Sequence, residues 1–597
     1  MNSEPLLYRV SCNDLAGHRI HVTLHIAQPD PAGQHLFLPA WIPGSYLIRD
    51  FSRQIESIQA ECNGKAIKIA KQNNHQWHCE PCSGPLTISY VVYAWDLSVR
   101  SAHLDESHAF FNGTSVFLGV SGQEHVPCLV DLQRPKAAKN WKVYTSMPEA
   151  KGHQGAAKRH GFGLYKAPDY DALIDHPFEL GTPQVIQFEA CGALHEMVFT
   201  GVIPNLDLER IAADTKQICE AQIALFEPES KAVPFLDSSD RYVFMTMVTG
   251  DDYGGLEHRS STALVASRRD LPTLNQREEA KSDGYLSFLG LVSHEYFHTW
   301  NVKRIKPAAF APYRYLEENH TQLLWVFEGF TSYYDDLMLL RAGVVDQSTY
   351  HSLLTKNINA VYRSPGRFKQ SVADSSFDTW TRFYKQDENS PNALVSYYSK
   401  GALVALGLDL YIRTHSQNNK SLDDVMRLLW ERYGRDFFNT APQGVAENAM
   451  PELIREATGI DTRDFIMRYA YGCDDLPLAE LFSAQGVSLN WKSSNPLPSL
   501  DVRFSENACN ELKLATVYEN GAAHQAGLSA GDLLIAIDGL RVTNQQRLKQ
   551  LLKAYQAGDS VQLHVFRRDE LRTFTARLNP APLDTCSLSL NPASSHE

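Results

Sequence analysis

The chain has 597 residues, of which 43% are hydrophobic and 10% aromatic, with a formal net charge of −13 at pH 7. One hydrophobic core cannot hold this length, so we expect several domains. The acidic balance disfavours nucleic-acid binding, which needs a basic surface. We identify no signal peptide and no apolar run long enough to span a membrane, and the ten scattered cysteines are typical of reduced thiols. These features predict a multidomain cytoplasmic protein that does not bind membranes.

Residues 1–180 predict an N-terminal antiparallel β domain that resembles a sandwich. Short segments such as 21–26 and 86–93 are rich in β-branched and aromatic residues, and Gly, Pro, Asn and Asp separate them. The loop 39–46 contains two aromatic residues, Trp41 and Tyr46. It is either a packed turn or part of a binding surface, and the sequence does not decide between these interpretations.

A second domain is predicted over residues 181–490, where helices and strands are mixed. Helical periodicity over 207–226 is followed by strands at 242–248 and 262–266. Between the strands lies the motif Tyr253-Gly254-Gly255-Leu256-Glu257-His258. Two glycines at a strand edge allow a ligand backbone to approach closely. Glu257 is either part of such a site or a solvated carboxylate at the edge.

The segment 291–300 contains His-Glu-x-x-His inside an apolar run that predicts a buried helix, which begins near Ser282 or Asp283. On an α-helix, His294 and His298 lie one turn apart on the same face, where two imidazoles can hold one Zn2+. Glu295 is adjacent and can serve as general base for an attacking water. Two core histidines are the alternative, but a buried carboxylate between them needs a partner such as a metal. We therefore predict one Zn2+ per chain.

Glu328 is the predicted third zinc ligand. A second helix is expected from about residue 319 or 321 to Gly343, and Glu328 is the acid in its long apolar run. A lone carboxylate in such surroundings needs a charged partner. Glu317 and Glu318 are rival candidates, but they follow a loop that contains Pro and Tyr. We therefore expect their carboxylates to be exposed to solvent. Glu328 is therefore favoured.

Three further regions lie beyond this helix. An apolar helix is predicted from Ala393 to Tyr411; it carries Tyr397 and Tyr398, and a tyrosine hydroxyl near zinc can stabilise an oxyanion, although core tyrosines are commoner. Residues 491–580 predict a small separate module of strands and one helix. The tail 581–597 is rich in Ser, Pro and Asn, and we expect it to be disordered.

Several ordered motifs together resemble the M61 family of metallopeptidases, the glycyl aminopeptidase group of the gluzincins, which is related to the M1 aminopeptidases. The C-terminal module resembles a PDZ domain. The matching segments are His294-Glu295-Tyr296-Phe297-His298, Trp325-Val326-Phe327-Glu328-Gly329, Gly254-Gly255-Leu256-Glu257-His258, Tyr397-Tyr398-Ser399-Lys400-Gly401 and Pro43-Gly44-Ser45-Tyr46.

The resemblance implies a thermolysin-like catalytic domain over residues 181–490 and roles for particular side chains. Zinc would be held by His294, His298 and Glu328, with Glu295 as the base. Glu257, beside Gly254 and Gly255, would bind the α-ammonium group of a substrate, and Tyr398 would stabilise the oxyanion.

The sequence departs from the M1 pattern in two places. Glu317 stands where M1 enzymes would have their third ligand, and the amine-binding motif ends in His258 where M1 enzymes have Asn. In the PDZ-like module, Asp501 lies in the loop 499–502 that would receive a peptide carboxylate, and it would repel that group.

The sequence therefore predicts a multidomain α+β zinc aminopeptidase that removes N-terminal residues by metal-activated attack of water. The resemblance implies a preference for Gly or Ala. Its partners would be peptides with a free N-terminus and a peptide or protein ligand at the PDZ-like module. Two alternatives stay open: an endopeptidase with the same zinc chemistry, and a non-catalytic PDZ scaffold with a structural metal. The presence of Glu295 disfavours the scaffold, because a structural zinc site does not use a base.

Overall fold

The computed structural model describes residues 4–277, 279–506 and 511–590. The chain divides into two compact units. Unit 1 comprises Met1–Asn319, Tyr334–Asp346 and Met426–Ala446, and unit 2 comprises His320–Tyr333, Gln347–Val425 and Glu447–Glu597. Within the described ranges, no helix combines the length and the apolar character needed to cross a membrane.

Unit 1 contains twenty strands in the described residues. They are β1 (Leu6–Asp14), β2 (Arg19–Ile26), β3 (His35–Phe37), β4 (Ile55–Cys62), β5 (Lys65–Ile67), β6 (Ile69–Lys71), β7 (Gln76–Cys79), β8 (Leu86–Tyr93), β9 (Ala102–Leu104), β10 (Ala109–Phe111), β11 (Gly119–Val120), β12 (Cys128–Gln133), β13 (Lys142–Tyr144), β14 (Gly163–Ala167), β15 (Phe178–Gly181), β16 (Gln184–Ala190), β17 (Ala193–Thr200), β18 (Arg241–Thr249), β19 (Gly254–Glu257) and β20 (Ser261–Ser267).

The first fifteen strands form the predicted N-terminal β domain, which consists of three sheets. A seven-stranded sheet has the order β14-β12-β1-β2-β8-β4-β5, and two four-stranded sheets have the orders β13-β15-β10-β9 and β11-β3-β7-β6. Alternate residues of β1 and β8 are buried, as expected for strands with one face on a core. The domain is not wholly antiparallel, because β1 and β12 pair in parallel.

A mixed five-stranded sheet, in the order β16-β17-β18-β20-β19, carries part of the candidate site. Its central strands β17, β18 and β20 run parallel and are almost entirely buried, as is usual for parallel strands covered on both faces. β19 lies at the edge and pairs antiparallel with β20, with Glu257 opposite Thr262. The Gly-Gly-Leu-Glu motif thus forms an edge strand.

Helices occur in both units, and the chain passes from one unit to the other within α5 and α10. The helices are α1 (Gly113–Val116), α2 (Tyr170–Ile174), α3 (Leu208–Phe226), α4 (Asp283–Phe297), α5 (Phe330–Arg341), α6 (Gln347–Tyr362), α7 (Val372–Phe377), α8 (Ser390–Ala393), α9 (Ser399–His415), α10 (Leu422–Leu429), α11 (Met450–Thr458), α12 (Arg463–Tyr469), α13 (Leu478–Ala484), α14 (Ala522–Ala526) and α15 (Gln545–Leu552).

The C-terminal part of unit 2 forms a compact β module with its own apolar core. It consists of a sheet built from β22 (Val502–Glu506), β23 (Leu512–Val517), β24 (Leu533–Ile537), β25 (Leu540–Arg541), β26 (Ser560–Arg567) and β27 (Glu570–Arg577), together with α14 and α15. Leu514, Leu534 and Leu563 are among the core residues. The predicted multidomain α+β architecture, with a β-rich N-terminal domain, a helical part and a PDZ-like module, is confirmed.

The predicted tail requires a correction. β28 (Thr585–Leu590) pairs antiparallel with β21 (Val487–Lys492), so the chain is ordered as a strand up to Leu590. Cys586 is 4% exposed, and its amide donates to Asn359 Oδ1 at 2.8 Å. The Ser-rich composition concealed this strand, because its pairing partner lies nearly a hundred residues earlier. Residues 591–597 lie outside the described residues.

Candidate active site

The His-Glu-x-x-His motif lies at the C-terminal end of α4. Ser282 caps this helix, because its side chain accepts a hydrogen bond from the amide of Tyr285. The predicted start of the helix is therefore confirmed. His294 and Glu295 lie in the last turn, and His298 is the residue that follows the final helical position.

The two histidine rings are held in fixed orientations by acceptors on the Nδ1 side. His294 Nδ1 donates to Asp335 Oδ2 at 3.1 Å, and His298 Nδ1 donates to the carbonyl oxygen of Asn301 at 2.6 Å. A carboxylate and a carbonyl can only accept, so each Nδ1 carries the proton. The Nε2 atom of each neutral ring therefore presents a lone pair.

These two lone pairs face one another, since the Nε2 atoms of His294 and His298 are 3.0 Å apart. Two acceptors at this distance repel each other unless a cation lies beside both. In a tetrahedral Zn2+ site with bonds of about 2.0–2.1 Å, ligand atoms are roughly 3.3 Å apart. Outer carboxylates or carbonyls that hold Nδ1–H are typical of zinc-binding histidines. The residues present therefore fit a zinc ion at these two atoms.

A second group of ligand-type atoms lies next to this pair. Glu257, Glu295 and His298 each offer one atom within 4.8 Å of the others, and all three residues are buried. Gly255 makes this approach possible, because a Cβ atom there would lie 2.6 Å from Glu295 Cγ. Two carboxylates so close in a buried place favour positively charged groups between them.

Glu257 is 3% exposed, and among the described residues its Oε1 has no hydrogen-bond partner. A buried carboxylate oxygen without a hydrogen-bond partner is costly, and a positively charged group beside it would lower this cost. The loop 39–46 approaches Glu257 at Gly44, which has φ +90° and where a Cβ atom would lie 2.7 Å from Glu257 Cδ. The structure thus identifies this loop as part of the surroundings of Glu257, and not only as a packed turn.

His258, the departure from the M1 motif, is directed toward Asp175. Its Nδ1 lies 3.1 Å from Asp175 Oδ1, and Lys303 Nζ donates to the same oxygen at 2.8 Å. Burial alone would raise the pKa of Asp175, but the charge of Lys303 and the contact with His258 hold it far below its usual range. Asp175 is therefore an ionised anchor for the end of the Glu257 motif.

Glu328 and Tyr398 lie in unit 2. Glu328 is 2% exposed and belongs to a π-helical turn, Trp325–Gly329, at the start of the helix that was predicted there. Single π-helical turns are frequent at functional sites. The rival Glu317 is instead an exposed residue of unit 1 that pairs with Arg314 at 3.0 Å.

The structure distinguishes the two neighbouring tyrosines. Tyr397 is fully buried, and its hydroxyl is 2.9 Å from Thr379 Oγ1. Burial raises the pKa of Tyr397 well above its usual value. Tyr398 is half-buried and stacks on Tyr397, with its hydroxyl 3.5 Å from that of Tyr384. Tyr398 thus has the more accessible hydroxyl of the two, and its catalytic role stays a prediction.

The sequence did not reveal Asp335 or Asp175 as participants, and it left open whether the loop that contains Gly44 belongs to the site. Asp335 had only a weak signal, since it is one of two adjacent acids, Asp335 and Asp336, that follow Glu328 by about two helical turns. Gly44 and Asp175 are distant in sequence from the motif they contact, so periodicity and spacing could not identify them.

Comparisons with known proteins agree with this architecture. Residues 7–182 match the Peptidase M61 N-terminal domain, residues 287–404 match the M61 glycyl aminopeptidase family, and residues 498–578 match a PDZ domain. The structure is similar to the crystal structure of an aminopeptidase N family protein from Idiomarina loihiensis, with 41% sequence identity, a TM-score of 0.91 and coverage of 98% of both chains.

Two more distant similarities concern parts of the architecture. An M1 zinc metallopeptidase from Deinococcus radiodurans aligns at 13% identity with a TM-score of 0.46, covering 80% of this chain and 96% of that one. A serine protease Do-like HtrA from Lactobacillus helveticus is 28% identical over 87 residues, which are 15% of this chain and 19% of that protein. The chain therefore spans about a fifth of the length of that curated relative.

Two histidines one helical turn apart, with a carboxylate between them, define a centre of the metallopeptidase type. The chain belongs to the M61 family of metallopeptidases, the glycyl aminopeptidase group, and carries a C-terminal PDZ domain.

Proposed function

We propose that the protein is a zinc-dependent aminopeptidase that removes one N-terminal residue at a time from peptides. The observation that carries this proposal is the pair of Nε2 atoms of His294 and His298, 3.0 Å apart and each oriented by an acceptor on Nδ1. Membership of the M61 family supports the same activity. A bound zinc would polarise the scissile carbonyl and acidify the attacking water.

Glu328 is our proposed third ligand. Its 2% exposure, its place in a π-helical turn and its match to the family motif support this assignment. Glu317 is a poor rival, because a solvated carboxylate paired with Arg314 has no need of a metal. With Glu328 the set has two imidazoles and one carboxylate, which leaves a fourth position for substrate or water.

Glu295 is the proposed general base. It is 5% exposed, and its side chain packs against the backbone at Gly255. From this position it accepts a proton from the attacking water and delivers it to the leaving amine. The half-buried Tyr398 is proposed to donate a hydrogen bond to the oxyanion that develops on the carbonyl oxygen.

Glu257 is proposed to bind the α-ammonium group of the substrate. Its buried Oε1 lacks a partner among the described residues, and a free peptide N-terminus is a cation near neutral pH. Pairing there would fix the first peptide bond at the metal, so that one residue is removed per event. The edge position of β19, with Gly254 and Gly255, offers backbone groups to the substrate.

We further propose that the enzyme prefers small N-terminal residues such as Gly or Ala. The backbone of Gly44 approaches Glu257 so closely that no Cβ atom fits between them. When a substrate is bound at Glu257, the side chain of its N-terminal residue therefore lies beside the loop 39–46. A large side chain would have to displace this loop.

The PDZ domain is a second proposed binding site. Asp501 has φ 55°, and its Oδ2 accepts from the amide of Ala522 at 3.0 Å and from Asn579 at 2.6 Å. The Asp501 carboxylate thus already accepts donors at the loop where a terminal carboxylate would dock. We propose that a peptide partner uses the groove between β22 and α15, whose lining includes Val502, Phe504, Leu548 and Leu552, without such an anchor. A cytoplasmic location stays a prediction.

A panel of aminoacyl reporter amides, assayed with and without a chelator, tests the proposed function. We expect Gly and Ala amides to be hydrolysed fastest, the chelator to abolish hydrolysis, and added Zn2+ to restore it. N-acetylated amides separate this activity from the endopeptidase alternative. Undiminished hydrolysis by metal-free protein would contradict the proposal.

A further inference from the structure

A compact group of histidines and carboxylates lies in the N-terminal β domain, outside the site described above. His103, Asp105 and His108 each offer one ligand atom, and these atoms lie within 4.8 Å of one another. β9 and β10 form a hairpin, and all three residues belong to it or to its turn. Both histidines are buried, at 5% and 7% exposure.

The turn fixes the Asp105 carboxylate in one orientation. Its Oδ1 accepts from the amides of Ser107 and His108, at 2.7 and 3.0 Å, and from the hydroxyl of Ser107 at 2.6 Å. The turn thus uses one oxygen and leaves Oδ2 directed at His103, whose Nε2 lies 3.1 Å away. Without a metal this contact is a hydrogen bond, and the same separation also allows both atoms to bind one tetrahedral ion, whose ligand atoms lie roughly 3.3 Å apart.

His108 is oriented from behind by a buried carboxylate. Its Nδ1 lies 3.0 Å from Oε1 of Glu179, a residue of β15 that is 1% exposed. Because the carboxylate accepts, Nδ1 carries the proton and Nε2 presents a lone pair. A carboxylate, a histidine and a metal in this order are a recurrent arrangement in metal sites.

The charges of the group point independently to a cation. With neutral imidazoles, Asp105 and Glu179 contribute two negative charges to a largely buried place, and protonation of His108 would leave one of them uncompensated. In addition, Glu179 Oε2 is buried and has no hydrogen-bond partner among the described residues. Buried carboxylates are stable when paired or when they support a metal. A divalent cation would balance the group.

We propose that His103, Asp105 and His108 form a second metal site, which takes a divalent cation of the zinc class, with Glu179 as the outer partner of His108. Two imidazoles and one carboxylate suit Zn2+ and Cu2+ better than Mg2+ or Ca2+, which prefer oxygen ligands. The site would clamp the β9–β10 hairpin against β15. Its role is structural, and the hydrolytic reaction does not use it.

Trp95 provides a local probe for this site. Its ring stacks on His103 with a centroid distance of 5.0 Å, and it is 52% exposed. Cu2+ quenches indole fluorescence at short range, so a cation bound by His103 would quench Trp95. The chain has nine tryptophans, and the signal is therefore assigned by comparison with a Trp95→Phe variant.

The test uses the full-length chain with His298→Ala, which removes one ligand of the proposed catalytic zinc. We expect this variant to retain about one equivalent of Zn2+ by elemental analysis and to show Cu2+ quenching that saturates at one equivalent. The added substitution His108→Ala should abolish both signals. Glu179→Gln, which preserves the shape, should weaken binding about 10–100-fold, as for other outer partners.

His153→Ala is the matched control, because His153 is an exposed histidine of the same domain. It should bind Cu2+ and Zn2+ like its parent. Asp105→Asn is a second test variant in case His108→Ala misfolds, because it retains the shape of the turn and removes the negative charge. Equal metal content with and without His108→Ala, or quenching that persists with Trp95→Phe, would overturn the proposal. The readouts are metal content and fluorescence, because His298→Ala by itself is expected to abolish hydrolysis.

Discussion

A Cβ atom at Gly255 would lie 2.6 Å from Cγ of Glu295 and would overlap its carboxylate. The edge strand β19 and the helix α4 thus meet at a position where only glycine fits. This contact restricts the position of the Glu295 side chain, the proposed base, because the backbone of β19 forms one wall of its pocket.

Gly255→Ala should therefore displace Glu295 and lower kcat by two to three orders of magnitude, approaching the usual contribution of a general base. The fold should survive, because the overlap is with the end of a side chain. Steady-state kinetics and circular dichroism measure the two effects. Gly250→Ala is the control, since a Cβ atom at Gly250 meets no heavy atom within 4 Å. Equal activity of the two variants would show that this contact does not position the base.

Glu295→Gln and Glu328→Ala should separate catalysis from metal binding. We expect the first variant to retain zinc and to lose two to four orders of magnitude in kcat. The second should lose zinc affinity, because it removes a proposed ligand. Elemental analysis after dialysis measures the difference. If Glu317→Ala loses the metal while Glu328→Ala retains it, our choice of ligand is wrong.

Tyr398→Phe should lower kcat about 10²–10³-fold and leave KM nearly unchanged, because its hydroxyl is proposed to act on the developing oxyanion. Tyr397→Phe is the matched control one residue earlier. It removes a hydroxyl that contacts Thr379, so we expect a stability loss of about 1 kcal/mol and nearly full activity. A change confined to KM in the Tyr398 variant would make this residue a binding residue.

Lys306 should make stability depend on pH. It is 4% exposed, with Nζ 4.4 Å from the ring centroid of Tyr313, and burial lowers its pKa to about 7. Between this value and the unfolded pKa near 10.4, the unfolded chain binds more protons, so stability rises with pH by up to about 1.4 kcal/mol per unit.

Thermal unfolding of the full-length chain at pH 7 and pH 9 measures this dependence. The wild-type protein should gain stability over this range relative to Lys306→Met, in which the titrating group is absent. Lys151→Met, at an exposed lysine, should behave like the wild type. Parallel pH profiles for Lys306→Met and the wild type would show that the buried amine stays charged.

The sequence predicted those elements whose signals are local. Ser282 and the apolar periodicity after it located α4, and the Gly-Gly-Leu-Glu motif located the edge strand. The π-helical turn at Glu328 has no periodicity of its own, so it appeared as ordinary helix. β28 and the contact of Gly44 with Glu257 depend on residues far apart in the chain. Short-range patterns do not record such pairings.

The cluster at His103 shows the same limitation in another form. His103 and His108 stand five positions apart across a hairpin turn, a spacing that matches no helical ligand motif. Asp105 lies between them, and the sequence predicts it only as a turn residue. In the structure it does stabilise the turn, by accepting the amide of Ser107. Glu179 joins the group only through strand pairing with β10.

The central claim is that a buried carboxylate at Glu257 selects substrates with a free N-terminus. The most direct measurement compares kcat/KM for glycine reporter amide with that for its N-acetylated form, in the wild type and in Glu257→Ala. We expect the wild type to favour the free amine strongly and the variant to lose about 2–4 kcal/mol on it, as is typical when a desolvated charge partner is removed. Equal hydrolysis of both substrates by the wild type, or an unchanged rate in Glu257→Ala, would contradict the account.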